Sequence, residues 1–268
     1  MAFRHIVALV LVAVLAIGAI ALAETDYIDL NDRFDNVLTY DYNGHTYYQK
    51  SRMTTMLAVA YNQEEASVEA GIIGDPELIL LVIVDDNAKT VLPLQISAST
   101  VVDWMDAAGQ EAGIPEGISL RDLFGMEADI EAGTIALMNA LNGMFPADFI
   151  EDYLAFDLNG LTVIDGIAND GSNNVGDALM QRLHVIKATV EESAEATKLL
   201  SALSDYITSD MKSGALMKIA DKVDRYDVAS RMQLPALETA AEDESVHLDR
   251  SAFDEWMVAS FFDAESMW

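Results

Sequence analysis

Apolar residues in this sequence fall into one long uninterrupted block, several short runs bounded by turn formers, and longer stretches that recur every three or four residues. The block is Ile6 to Ala23 (IVALVLVAVLAIGAIALA), preceded by Arg4 and His5. It carries no charge, reaches the lower limit for spanning a bilayer, and ends in Ala21-Leu22-Ala23, an A-x-A cleavage pattern. Residues 1–23 therefore read as a signal peptide or an N-terminal membrane anchor, with Arg4 kept on the cytoplasmic side and the rest of the chain outside. Residues 24–37 read as a polar lead-in, and 38–268 as the folded domain with a C-terminal helical extension.

The short runs predict strands. Val37 to Tyr48 (VLTYDYNGHTYY) places β-formers on both sides of Asn43-Gly44, a strong hairpin signal. Thr54 to Tyr61 follows, and then Leu78 to Val84 (LILLVIV), whose lack of alternation predicts a strand buried on both faces. Asp85 to Lys89 supplies turn chemistry, and Thr90 to Ile96 returns as the antiparallel partner at the centre of a sheet. Tyr153 to Ile164 suggests a further strand and turn. Helical spacing marks Ile130 to Asn142 and a long amphipathic stretch from Leu179 to Thr208. Phe253, Trp256, Met257, Phe261 and Phe262 are spaced for one helix face and read as core packing. The predicted fold class is α/β: a single three-layer domain with a central mixed sheet flanked by helices.

Composition narrows the function. Fifteen Lys and Arg against 45 Asp and Glu give a formal net charge of −30, and no basic patch interrupts the acidity, so nucleic acid is not a partner. With 51% hydrophobic residues the charge belongs to a folded protein. The absence of cysteine excludes disulfides, zinc-thiolate sites, thiol nucleophiles and a lipidated cysteine. The histidines His5, His45, His184 and His247 show no metal-binding spacing, and no G-x-S-x-G elbow is present. Asp85-Asp86-Asn87 and Asp170 to Asn174 are oxygen-rich, yet neither continues as an EF-hand, and both read as turns. Gly71 to Gly74 lacks the Lys of a phosphate loop. An exported, acidic, cysteine-free protein fits a Gram-positive cell surface.

Several stretches, in order along the exported chain, resemble the LytR-CpsA-Psr family of cell-envelope proteins. Tyr42 to Tyr47 resembles its Y-x-G-K-x-Y lead-in, Thr55 to Asn62 its first core strand, and Leu78 to Thr100 the hairpin leading into its I-x-R-D-T signature. Leu123-Phe124-Gly125, Pro146 to Asp157, Met180-Gln181-Arg182, Tyr206 to Val223 and Leu234-Pro235 resemble later motifs. The resemblance implies a phosphotransferase that moves a glycopolymer from undecaprenyl pyrophosphate onto peptidoglycan. Such a site uses arginines on the pyrophosphate, acidic residues around magnesium, and an apolar tunnel for the lipid.

The chain departs from this pattern at the charged positions. The signature falls on Ile96-Ser97-Ala98-Ser99-Thr100, Asn62 stands where an Asp is usual, and Leu179 and Leu183 replace an Arg and a Gln. Arg182 and Glu77 remain as catalytic remnants; Arg121, Arg52, Ser99 and Thr100 are candidate ligand-binding residues, and no metal site is expected. Leu80, Val82 and Val91, facing Ile135, Met138, Leu141 and Met144, are the expected walls of an apolar groove. Removing one transition-state donor costs about a hundredfold or more in rate, so several losses together predict a non-catalytic accessory or binding module, with a polyprenyl-linked lipid or a cell-wall assembly protein as partner. The alternative is a phosphotransferase with a rearranged site. No cofactor is expected, and magnesium enters only with that alternative. The membrane is a partner through residues 1–23 if these are not cleaved.

Overall fold

In the computed structural model, the described residues are 38–50, 53–63, 73–106, 110, 113–146, 148–160, 204–211, 219, 222, 225–228, 232–235 and 245–264. Asn43-Gly44 joins β1 (Thr39–Tyr42) to β2 (His45–Gln49), with Tyr42 opposite His45. Both loop residues have positive φ, 52° and 76°, as a type I′ turn requires, and its twist matches that of the strands. The hairpin predicted from the sequence is therefore present.

The main sheet is built from β3 (Met53–Tyr61), β4 (Pro76–Asp85), β5 (Thr90–Ile96), β6 (Asp152–Asp157), β7 (Ile207–Ser209), β8 (Asp227–Val228) and β9 (Met232–Gln233). Its order is β7-β6-β3-β4-β5-β8, and β9 also pairs with β5. The β3–β4 and β4–β5 pairs are antiparallel and β3–β6 is parallel, so the sheet is mixed. The two apolar runs are central antiparallel neighbours, with Leu81 opposite Leu94 and Val84 opposite Val91. Their turn forms because the Asp85 carboxylate accepts from the backbone N–H of Asn87 (2.9 Å) and Ala88 (2.8 Å), while Lys89 takes a φ of 56°.

Three helices follow the capping residues that precede them: α1 (Leu120–Gly125) after Ser119, α2 (Ile130–Met144) after Asp129 and α3 (Arg250–Phe261) after Asp249. Each cap accepts from a backbone N–H of the first turn; Asp129 does so at 2.8 Å from Ala132. The last strand, β10 (Phe262–Asp263), pairs with β2 and completes a small sheet with β1. Phe262 is thus in a strand beyond the helix face on which its spacing placed it, though it is buried as expected.

Strand alternation divides the core. Leu57, Ile79, Leu81, Ile83 and Leu94 belong to one cluster with Leu137 and Leu141 of α2, Phe124 of α1, and Phe253 and Met257 of α3. Their neighbours Met56, Ala58, Leu80, Val82 and Val91 point to the opposite face and are equally buried. Burial on both faces is why Leu78 to Val84 shows no polar alternation. The architecture is α/β with a mixed sheet, as the sequence indicated.

One predicted element changes at its end. Residues 161–203 lie outside the described residues, but Ser204–Tyr206 form a single 3-10 turn and Ile207–Ser209 form β7 rather than the end of a helix. Ile207 and Thr208 are β-branched, and the free edge of β6 offers them backbone partners, with Phe156 opposite Ile207. No helix among the described residues is long and apolar enough to cross a membrane, and residues 1–37 lie outside them.

Three tyrosines tie the sheets to acidic neighbours. Burial, and then the Glu131 carboxylate beside it, pushes Tyr153 up to about 12. Burial and Asp254 raise Tyr40 further, as burial and Asp157 do Tyr61. Each folded value lies above the unfolded value of about 10, so the unfolded chain releases these protons first and stability falls as pH rises from about 10 through the folded values. Thermal melts followed by circular dichroism are expected to show midpoints that decline as pH rises above about 10, a decline blunted in Tyr153→Phe.

A polar cleft as the candidate functional site

Strand direction gathers the candidate residues at one end of the sheet. Tyr61 at the end of β3 lies opposite Pro76 at the start of β4 and beside Asp157 at the end of β6, while Ile96 at the end of β5 faces Ile79. The carboxyl ends of β3, β5 and β6 therefore open on the same side as the amino end of β4. That is where open α/β sheets place ligands. A cleft of about 550 Å³ lies at this end, lined by Asp75 to Glu77, by Gln95 to Thr100, by Arg121, and by Leu234, Val246 and Leu248. The volume falls within the range of small-molecule sites.

Backbone hydrogen bonds set its shape. Ser97 carbonyl accepts from Thr100 N–H (3.0 Å), and the Ser97 hydroxyl accepts from Ser99 N–H (3.2 Å), curling the segment into a turn. The first residues of α1 dock on it: Leu120 N–H donates to Thr100 carbonyl (2.9 Å) and Arg121 N–H to Ala98 carbonyl (2.8 Å). From the other side Val246 N–H donates to Ser99 carbonyl (2.9 Å). Residues distant in sequence are held as one rim.

The structure brings Glu77, Ser99, Thr100 and Arg121 together around this cleft. Glu77 and Arg121 are exposed, Ser99 is half-buried, and Thr100 is buried. Arg52 and Arg182 lie outside the described residues. Asn62 is exposed at the end of β3, bonded through its N–H to Asp75 carbonyl (3.4 Å), and does not line the cleft. Sequence reasoning missed Asp75, which sits two residues before Glu77 at the strand entrance, and it missed Gln95 and Ser97. Leu234, Val246 and Leu248 carry no local signal that connects them with residues more than a hundred positions earlier.

Among the described residues the cleft charge is mixed: one guanidinium, Arg121, and two carboxylates, Asp75 and Glu77. Among the described residues none of the three makes a side-chain ion pair or hydrogen bond. No group of three or more His, Asp or Glu side chains among the described residues could hold a metal ion.

The seven residues expected to wall an apolar groove do not face one another. Leu80, Val82 and Val91 lie on one face of the sheet, while Leu141 and Met144 are buried against the opposite face, with Ile135 and Met138 half-buried at its margin. The parity went astray because a strand apolar on both faces gives no sign of which face a given helix covers. Of the other constellations, Asp85 to Asn87 forms a turn, while Asp170 to Asn174, His5 and His184 lie outside the described residues. Asp86 accepts from Lys222 (2.8 Å) and from the Tyr226 hydroxyl (2.9 Å), and His247 Nδ1 lies 2.9 Å from Asp103.

No family model matches the chain, and no curated protein matches it. Among solved structures it is similar to protein gbs0355 from Streptococcus agalactiae, with a TM-score of 0.52 and 10% identity over 79% of this chain and 90% of that one. It is also similar to TagV from B. subtilis (TM-score 0.47, 12% identity, 77% of this chain and 94% of that one). For TagT bound to LI-WTA the TM-score is 0.47 at 10% identity, covering 76% of this chain and 87% of that one. Likeness at such identity is a likeness of fold, and function lives in the site. The fold of this chain is LytR-CpsA-Psr-like.

Proposed function

We propose that this protein works in the cell envelope, outside the cytoplasmic membrane, and binds a polyprenyl-linked wall precursor in the cleft at Ile96–Thr100 without transferring it. The observation that carries this reading is the lining of the cleft, in which Arg121 is the one cation among the described residues and is accompanied by Asp75 and Glu77. Phosphoryl transfer consists mainly of positioning and charge stabilisation, and it needs several cationic groups on the phosphates. Ala98 offers no charge and Ser99 only a hydroxyl, so the segment that would grip a pyrophosphate binds it weakly. The net charge of −30 opposes recruitment of an anion as well, within the roughly 8 Å over which salt leaves the field unscreened. Export follows from the apolar block at residues 6–23.

A second reading, a transferase with a rearranged site, draws on the fact that Arg121 and Glu77 share one cleft. Occupancy of the cleft is tested by equilibrium binding of a prenyl pyrophosphate to the full-length protein in detergent. Saturable binding that weakens at least about tenfold in Arg121→Ala and in Ser99→Trp is expected, since a charge-assisted contact or the cavity itself is removed. Binding unchanged in both variants would place the ligand elsewhere and overturn the proposal.

A further inference from the structure

Arg121, Asp75 and Glu77 surround one cleft and, among the described residues, leave one another unpaired. We infer that the group recognised there is zwitterionic: an amino sugar phosphate, whose ammonium meets Asp75 and Glu77 while its phosphate meets Arg121. This rests on the reading of the cleft as a binding site and names the chemistry it selects.

Opposite charges lining a single cavity normally close on each other when they are within reach, as Lys222 does with Asp86 at 2.8 Å elsewhere in this protein. Here Asp75 just before β4 and Glu77 at the register shift between β3 and β4 are both exposed at the strand entrance, and the docked first turn of α1 brings Arg121 to the same cleft. The backbone bonds from Leu120 and Arg121 to the Ala98–Thr100 segment fix the Arg121 backbone against that segment of the lining. A ligand bearing only an anion satisfies Arg121 but is repelled by two carboxylates, and one bearing only a cation leaves the guanidinium without a counter-charge. A molecule with both satisfies all three. The guanidinium fork matches phosphate oxygens in a bidentate manner, and an ammonium donates to carboxylates in three directions. The lining also offers the Gln95 amide and the hydroxyls of Ser97 and Ser99, which suit sugar hydroxyl groups.

The test uses the full-length protein and glucosamine 6-phosphate as the probe, with glucose 6-phosphate (no ammonium) and glucosamine (no phosphate) as comparators, measured by calorimetry. Glucosamine 6-phosphate is expected to bind at least about tenfold tighter than either comparator, the size of effect that one charge-assisted contact supplies. Arg121→Ala should erase its advantage over glucosamine, and Asp75→Asn combined with Glu77→Gln should erase its advantage over glucose 6-phosphate. All three side chains are exposed, so the variants should keep the parent's circular dichroism and melting midpoint. Glucose 6-phosphate binding as tightly as the amino sugar phosphate, or none of the three binding, overturns the inference. Should prenyl pyrophosphate still bind in the cleft with that result, only the zwitterion inference falls; loss of both kinds of binding removes the cleft itself as a ligand site.

Discussion

Phe253→Ala should lower the free energy of unfolding by about 3–5 kcal/mol, the range for removing a fully buried aromatic ring from a packed core. Phe253 is 0% exposed and belongs to the cluster that joins α3 to the sheet and to α2. Its ring lies 5.1 Å from Phe145 and 5.6 Å from Trp104, both edge-on, and 5.8 Å from Trp256. Edge-to-face pairs add to the area term, so truncation loses more than transfer energy alone. The surrounding side chains come from α2 and its following loop, from the 101–106 segment and from α3, which limits collapse into the space. Urea unfolding followed by tryptophan fluorescence should show a lower midpoint with an unchanged slope. A loss below about 1 kcal/mol would mean that α3 is not packed on this core.

Gly74→Ala should be nearly as damaging and should also abolish ligand binding. A Cβ at this position would stand 2.0 Å from the Asn62 carbonyl oxygen and 2.6 Å from its carbon. Both are backbone atoms at the end of β3, so no side-chain rotation relieves the contact, and the Asn62 N–H bond to Asp75 carbonyl must open. Overpacking typically costs about 1–3 kcal/mol, and a clash this deep against backbone belongs at or above the upper end. The displaced residues lead directly into Asp75 and Glu77 of the cleft. Gly125→Ala is the control, because a Cβ there meets nothing within 4 Å and lies at the end of a helix. It should bind as the parent does and be as stable or slightly more so.

Much of the frame was legible because local chemistry and tertiary context agree there. Asn43-Gly44 demands positive φ at both positions, Asp85 caps its own turn, and Asp129 starts α2 where the helical spacing begins. Ile207 and Thr208 were misread because a few residues at helical spacing also suit a strand, and the edge of β6 decided between the two. The facing of the central strand was not legible, since Leu80 and Leu81 are equally apolar and only the packed structure assigns each to a side. For the site, the signature segment and Glu77 were visible from the resemblance. That Arg121 joins them depends on its backbone bond to Ala98 across a loop of more than twenty residues, a pairing with no sequence signature. Asp75 escaped notice because only position, and not residue pattern, distinguishes it from the many other acidic residues of the chain.

The central claim is that this cleft binds a wall precursor without transferring it. The measurement that tests it most directly is release of phosphate-containing product from a prenyl-pyrophosphate-linked glycan, by the purified full-length protein with magnesium and a peptidoglycan acceptor. The account predicts no product above the protein-free control while the precursor remains bound. Turnover that disappears in both Arg121→Ala and Glu77→Gln would contradict it and make the protein a transferase with a rearranged site.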